Sequence, residues 1–242
     1  MLGRTRVVIQ QLLLRLGYRL ERVHPEYPVL AKAIDPVGVE ILGDPEFQSS
    51  CREIAGLTLL DLPRLANLWQ LCRISNRSGG IIEVGAYKGG SALHVSNSCP
   101  SRRVIVCDSF SGFELLDSVL DNNFNMAMFR DTQREIVERL FEGKQRNARV
   151  VAGYFPQSCL GIDLKPISFA HIDVDSYKAT IETLQFLDGC MIEESLILLD
   201  DYNRKAEGVD KAIGEFVKEN RVWVVFPLFP CQAVLIHKSW LD

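Results

Sequence analysis

From about residue 60 onward the chain alternates between two hydrophobic rhythms. Stretches patterned as helices, Leu60 to Ile74, Thr132 to Phe141 and Ala179 to Leu187, are interleaved with short apolar runs. Those runs are Ile81 to Val84, Val104 to Cys107, Arg149 to Ala152, Ile167 to Ile172 and Leu196 to Leu199. Short continuous apolar segments suit strands covered on both faces, so the alternation predicts a doubly wound, mostly parallel α/β sheet. The C-terminal part breaks the rhythm. Val222 to Phe226 and Ala233 to Ile236 are separated only by Pro227 to Gln232, too little chain for a crossover helix, so these two strands are expected to be antiparallel. The fold class is thus an α/β sheet of seven strands that ends in an antiparallel hairpin.

The N-terminal region has a different texture. Val8, Leu12, Leu16 and Leu20 recur at steps of four, with Arg15, Arg19 and Arg22 on other faces, which predicts an amphipathic helix. It is read first as a packing or oligomer-forming helix, and second as a peripheral contact with an anionic membrane surface. Residues 24–50 carry Pro25, Pro28, Pro36 and Pro45 with Gly38 and Gly43 and are expected to form an irregular arm rather than a buried element. Residues 1–55 are accordingly divided from a sheet domain over 56–242. The apolar run Val7 to Leu16 is interrupted by Gln10, Gln11 and Arg15, well short of the ~18 apolar residues of a membrane span. Met1 to Arg6 is basic, but no small-residue cleavage site follows, which argues against secretion.

Composition narrows the function classes. With 242 residues, 47% of them hydrophobic, the chain can bury a full core in one domain. The 27 basic residues against 31 acidic ones give a net charge of −4, which disfavours a surface that tracks nucleic-acid phosphates. Seven scattered cysteines, odd in number and without a CxxC pair, suggest neither a disulfide framework nor a zinc knuckle. A reducing, cytoplasmic location is expected.

The first candidate chemistry is the segment Ile81-Ile82-Glu83-Val84-Gly85-Ala86-Tyr87-Lys88-Gly89-Gly90-Ser91, a buried strand, a glycine turn and a helix start. Glycine there lets backbone approach a ligand closely. The Gly-x-x-x-Gly-Gly spacing differs from the Gly-x-Gly-x-x-Gly of dinucleotide enzymes, which argues against a nicotinamide or flavin pyrophosphate. Glu83, at the end of a buried strand, suits a cationic amino group, and Asp108, at the end of the next strand, can accept from ribose hydroxyls. A nucleoside joined to a charged amino acid satisfies both.

A second constellation is acidic. One strand runs into His171-Ile172-Asp173-Val174-Asp175 and the next into Leu198-Leu199-Asp200-Asp201. The carboxyl ends of neighbouring parallel strands face one crevice, so these carboxylates are expected to converge. An all-oxygen cluster with room for water suits Mg²⁺ or another hard divalent cation.

These segments resemble the Rossmann-like, class I S-adenosylmethionine-dependent methyltransferases over roughly residues 56–238. Asp108-Ser109-Phe110-Ser111-Gly112-Phe113 is similar to the Asp-Ser-Phe-x-Gly segment of the macrocin O-methyltransferase family of sugar-modifying enzymes. The resemblance implies that S-adenosylmethionine is held by Glu83, Gly85, Ala86, Tyr87, Lys88, Gly89, Ser91, Asp108, Ser109 and Phe110. Gly153 and Phe155, in Gly153-Tyr154-Phe155-Pro156, are similar to the family's segment near the adenine edge. It further implies Asp173, Asp200 and Asp201 as metal ligands holding two adjacent hydroxyls of an acceptor, with Asp175 as general base and His171 as the alternative base. The acceptor is expected to be a small molecule or glycan carrying a vicinal diol, and the insertion Ser111 to Asn147 is a candidate lid over it. Two alternatives stand beside this reading: the related cephalosporin hydroxylase/rhamnosyl methyltransferase group, and a nucleotide-binding protein without chemistry.

Overall fold

The structure is a computed structural model. It describes residues 41–240 apart from 77, 115, 143–146 and 204–206; the amphipathic helix expected over the first 23 residues, and most of the arm, lie outside the described residues. Within them the sheet has seven strands: β1 Gly80–Val84, β2 Val104–Asp108, β3 Ala148–Ala152, β4 Ile167–Ile172, β5 Met191–Leu199, β6 Trp223–Leu228 and β7 Gln232–His237. Their spatial order is β3-β2-β1-β4-β5-β7-β6. The pairs from β3 to β5 are parallel, and β7 runs antiparallel to both β5 and β6; with β6 it is joined by only residues 229–231, too short for a crossover.

Helices cover both faces. They are α1 Pro45–Glu53, α2 Leu62–Ile74, α3 Gly90–Ser98, α4 Arg134–Phe141, α5 Tyr177–Asp188 and α6 Glu207–Glu219. Because side chains alternate along a strand, each strand feeds two cores. Ile81, Val104, Val106, Phe169, Leu196 and Leu198 pack with residues of α1–α4, whereas Ile82, Ile105, Ala170, Ile172, Ile197 and Leu199 pack with residues of α5 and α6.

Helix α1 corrects the expectation of an irregular arm through residue 50. Asp44 caps it by accepting from the N–H groups of Glu46 and Phe47 at 2.8 and 3.3 Å, and Pro45 is compatible with the first turn because its missing N–H would be unpaired there. Phe47 is fully buried and meets Trp69 and His94 edge-on, while Ser50 hydrogen-bonds His94 Nδ1 at 2.8 Å. The prolines that signalled an arm thus include one that starts a core helix. His94 itself is structural, and burial lowers its pKa to about 4.

Candidate active site

The ends of β1, β2, β4 and β5 open into a cavity of about 560 Å³. Each of these strands is followed by a non-glycine residue in left-handed backbone: Tyr87 (φ 51°), Phe110 (φ 54°), Asp175 (φ 59°) and Asp201 (φ 61°). Such residues cost on the order of 1–3 kcal/mol each and cluster at functional sites. Here they redirect the chain at the rim of one pocket.

The glycine turn after β1 is fixed by close approach. Gly85 has φ 90° and donates its N–H to the Cys107 carbonyl at 2.9 Å, and a Cβ at this position would overlap the Asp173 carbonyl oxygen. Only glycine fits between β1 and the end of β4. Gly85, Ala86, Tyr87 and Ser91 line the cavity, as do Asp108, Ser109, Gly153, Tyr154 and Phe155 on the β2–β3 side. The Asp108 carboxylate accepts the Tyr87 and Phe110 N–H groups, each at 2.7 Å, and so ties the β1 and β2 loops together. Burial raises its pKa and these backbone bonds act against that.

Other residues expected to touch the donor stand outside the cavity wall. Lys88 Nζ pairs with Asp131 at 2.6 Å, and the Tyr87 hydroxyl donates to the same carboxylate at 2.7 Å. Gly89 packs against Val137 and Leu140, and Phe110 lies against the α1–α4 core. Lys88 therefore latches the turn to the 111–133 insertion instead of facing the cavity.

Glu83 and His171 differ most from the sequence reading. Strand parity points Glu83, His171 and, past β5, Asp200 to the face covered by α2, and all three are fully buried. His171 Nδ1 lies 2.6 Å from Glu83 Oε1, and Nε2 lies 2.8 Å from Asp200 Oδ2. Burial alone would lower the imidazole pKa, but the hydrogen bonds and charges of Asp200 and Glu83 prevail and push it up to about 10. Both ring nitrogens lie on carboxylates, and His171 does not line the cavity, so the structure does not place the alternative base beside an acceptor. Glu83 Oε2 has no hydrogen-bond partner among the described residues.

Asp200 is likewise saturated. Its Oδ1 accepts from Arg64 Nη1 at 3.0 Å, and Oδ2 accepts from His171 and from Gln232 Nε2 at 3.0 Å. Burial opposes its ionisation, but His171 and Arg64 together hold its pKa below the usual carboxylate range. Asp173, Asp175 and Asp201 form a different set: one carboxylate oxygen from each lies within 4.8 Å of the others, and all three residues line the cavity. Burial raises the pKa of Asp173 and Asp175 well above the usual range; the charge of Asp200 adds to this at Asp173, and the hydrogen bond with Asp201 at Asp175. His171, Asp173 and Asp200 meet the same distance test, but His171 and Asp200 are already partnered. The sequence joined Asp200 to Asp173 and Asp201; the backbone turn at Asp175 joins that residue to them instead.

One part of the wall carried no sequence signal, and another was expected as a candidate lid. Arg64 enters from α2, a helix distant in sequence from every strand end, and Thr58 to Leu60 line the cavity beside it. The 111–133 insertion supplies Phe113, Phe124, Met128 and Phe129, in which Phe113 contacts both Phe124 and Phe129. It forms turns rather than a helix and is anchored by buried Asp121, which accepts from the N–H groups of Tyr177 and Asp117 at 3.0 and 2.8 Å.

The chain is 24% identical over 164 residues to the mycinamicin III 3''-O-methyltransferase of Micromonospora griseorubida, a match covering 60% of this chain and 65% of that protein, just under two thirds of its length. Among solved structures, the O-methyltransferase NovP aligns with a TM-score of 0.64 at 20% identity, covering 75% of this chain and 82% of that one. The calicheamicin methyltransferase CalS11 aligns with a TM-score of 0.61 at 17% identity, covering 92% and 95%. At these identities the likeness establishes the fold. The family model for macrocin-O-methyltransferases matches residues 51–229, from within α1 to the turn after β6 and across every strand end of the cavity, so the chain belongs to the macrocin-O-methyltransferase family.

Proposed function

We propose that the protein transfers a methyl group from S-adenosylmethionine to a hydroxyl of a vicinal diol, carried by a sugar of a glycosylated metabolite or glycan, with the help of a hard divalent cation. The observation that carries the reading is one cavity with the glycine turn and Asp108 on one side and the Asp173, Asp175 and Asp201 carboxylates on the other. The first group fits a nucleoside with an amino-acid tail, and the chain's relatives include, by name, a mycinamicin III 3''-O-methyltransferase and a TDP-rhamnose 3'-O-methyltransferase.

The donor set fits a cation. Burial and neighbouring negative charge push Asp173 and Asp175 toward their protonated forms, whereas a divalent ion favours ionised carboxylates. Asp173 and Asp201 would hold the ion, with Asp200 supporting them from behind. When bound, the ion supplies positive charge that lowers the pKa of an acceptor hydroxyl. The hydroxyl oxygen forms the new O–C bond, the S–C bond breaks with its electron pair left on sulfur, and the sulfonium becomes a neutral thioether. The proton goes to Asp175, which lines the same cavity. The aromatic wall of Phe113, Phe124 and Phe129 excludes water from the sulfonium.

Titration calorimetry with S-adenosylmethionine, with and without Mg²⁺, followed by product mass on a panel of diol sugars, tests the reading. Donor binding, tighter Mg²⁺ binding as pH rises from 6 to 8, and products heavier by CH₂ are expected. Products heavier by one oxygen would shift the assignment to the hydroxylase alternative. Failure to bind the donor under any condition sinks the methyltransferase reading.

A further inference from the structure

Arg64 and Lys178 are the cationic side chains in the cavity wall among the described residues. Lys178 is half-exposed and sits 3.7 Å from Glu182, while Arg64 is buried. A guanidinium carries five N–H groups. Three of Arg64's are accounted for: Nε reaches Asp61 Oδ1 at 3.3 Å, Nη1 reaches Asp200 Oδ1 at 3.0 Å, and Nη2 reaches the Leu59 carbonyl at 2.8 Å. One N–H on each terminal nitrogen has no protein acceptor among the described residues. Two N–H groups are the number that a bidentate carboxylate takes.

The location of Arg64 is rigid. Asp61 caps α2 by accepting the Arg64 N–H at 3.1 Å, which sets the side chain in the first turn. The chain entering α2 lies against the far end of the glycine turn, where Gly90 donates its N–H to the Leu57 carbonyl at 3.1 Å and a Cβ at Gly90 would stand 2.6 Å from that oxygen. In the strand order, Asp108 and Gly153 follow β2 and β3 on one side of β1, and Asp200, which Arg64 grips, follows β5 on the other. A donor whose ribose meets Asp108 has its amino-acid end on the Arg64 side. A polyanionic acceptor is opposed there by Asp173, Asp175 and Asp201, whereas one carboxylate is matched by one guanidinium.

We propose that Arg64 binds the α-carboxylate of the donor's methionine moiety through its two unspent N–H groups. The assignment rests on the S-adenosylmethionine reading above and adds the group that selects the amino-acid end of the donor. Arg64 is thereby a binding residue that also positions Asp200.

The test compares S-adenosylmethionine with its decarboxylated analogue, which keeps the base, ribose and sulfonium, by calorimetry on the full chain. The wild-type protein should prefer the carboxylated ligand about 10–100-fold, the range for charge-assisted hydrogen bonds. Arg64→Gln should bring the two affinities to within about twofold, and Arg64→Lys, which keeps charge without the fork, should fall between. An Arg64→Gln protein that weakens both ligands equally would mean a structural role through Asp200 only, and overturns the proposal. Should that variant fail to fold, the wild-type comparison decides alone: equal affinity for the two ligands overturns it. Wild-type protein that binds neither ligand removes the donor reading itself, an outcome distinct from binding without discrimination.

Discussion

Replacing His171 by Gln tests whether the row that joins β1, β4 and β5 is held by a buried cation. The substitution keeps polar atoms at the position but removes the positive charge between Glu83 and Asp200, which contact the ring at 2.6 and 2.8 Å. Breaking a buried pair from one side costs about 3–5 kcal/mol, because the remaining charges lose their compensation. The folded pKa of about 10 against an ordinary 6.5 gives a consistent upper limit of roughly 5 kcal/mol. For a chain of this size such a loss lowers the melting temperature by roughly 6–20 °C. The sign with pH follows from linkage. A histidine whose pKa is raised by folding contributes its full stability below about pH 6.5, and loses it as pH climbs toward 10. Urea unfolding of both proteins between pH 6 and pH 10 should therefore show a gap that is widest at pH 6 and narrows steadily, while groups remote from His171 cancel in the difference. A gap independent of pH, or a variant as stable as the wild type at pH 6, would show that His171 is neutral and that the row is held by ordinary hydrogen bonds.

Two further substitutions probe the frame of the cavity. Gly85→Ala forces a side chain into left-handed backbone, costing about 1–3 kcal/mol before the overlap with the Asp173 carbonyl oxygen is counted; thermal melting should drop and donor binding should fall with it, and an unchanged melt would mean that the β1 turn relaxes freely. Asp121→Ala leaves the Tyr177 and Asp117 N–H groups without their acceptor, a loss of about 1–3 kcal/mol, and should speed limited proteolysis within residues 111–133. Equal cleavage rates would detach Asp121 from the anchoring of the insertion.

The fold was legible because its signals are local. Each buried strand announced itself as a short apolar run, and the antiparallel hairpin followed from the length of one connection. The glycine turn was also local, since Gly85 and Gly90 meet backbone that the strand–turn–helix order places beside them. Helix α1 was hidden because Pro45 and Gly43 carry the same letters in an arm as at a helix start, and only the partners of Phe47, namely Trp69 and His94, separate the two cases. Arg64 was hidden for a stronger reason. Its partner Asp200 is 136 positions away, and within α2 the residue reads as one more charge on an amphipathic helix.

The four acids show where spacing stops carrying information. Asp200 and Asp201 are neighbours in sequence, yet one is locked by Arg64, His171 and Gln232 and the other lies in the cavity wall. The division comes from the end of β5: Asp200 keeps strand parity and turns toward α2, and the left-handed backbone at Asp201 sends the next carboxylate the other way. Asp173 and Asp175 reverse the case. Alternation would have placed His171, Asp173 and Asp175 on one face, but β4 ends at Ile172, and the left-handed turn at Asp175 brings its carboxylate to Asp201 while His171 stays under α2. The buried cations Arg64 and His171 stabilise the ionised form of Asp200, and they pull the pKa of Asp173 down as well. At Asp173 burial and the charge of Asp200 prevail, and at Asp175 burial and the hydrogen bond with Asp201 do, so both stay raised. A sheet edge with acids alone would repel itself; pairing Asp200 internally leaves a smaller set, Asp173, Asp175 and Asp201, at the cavity.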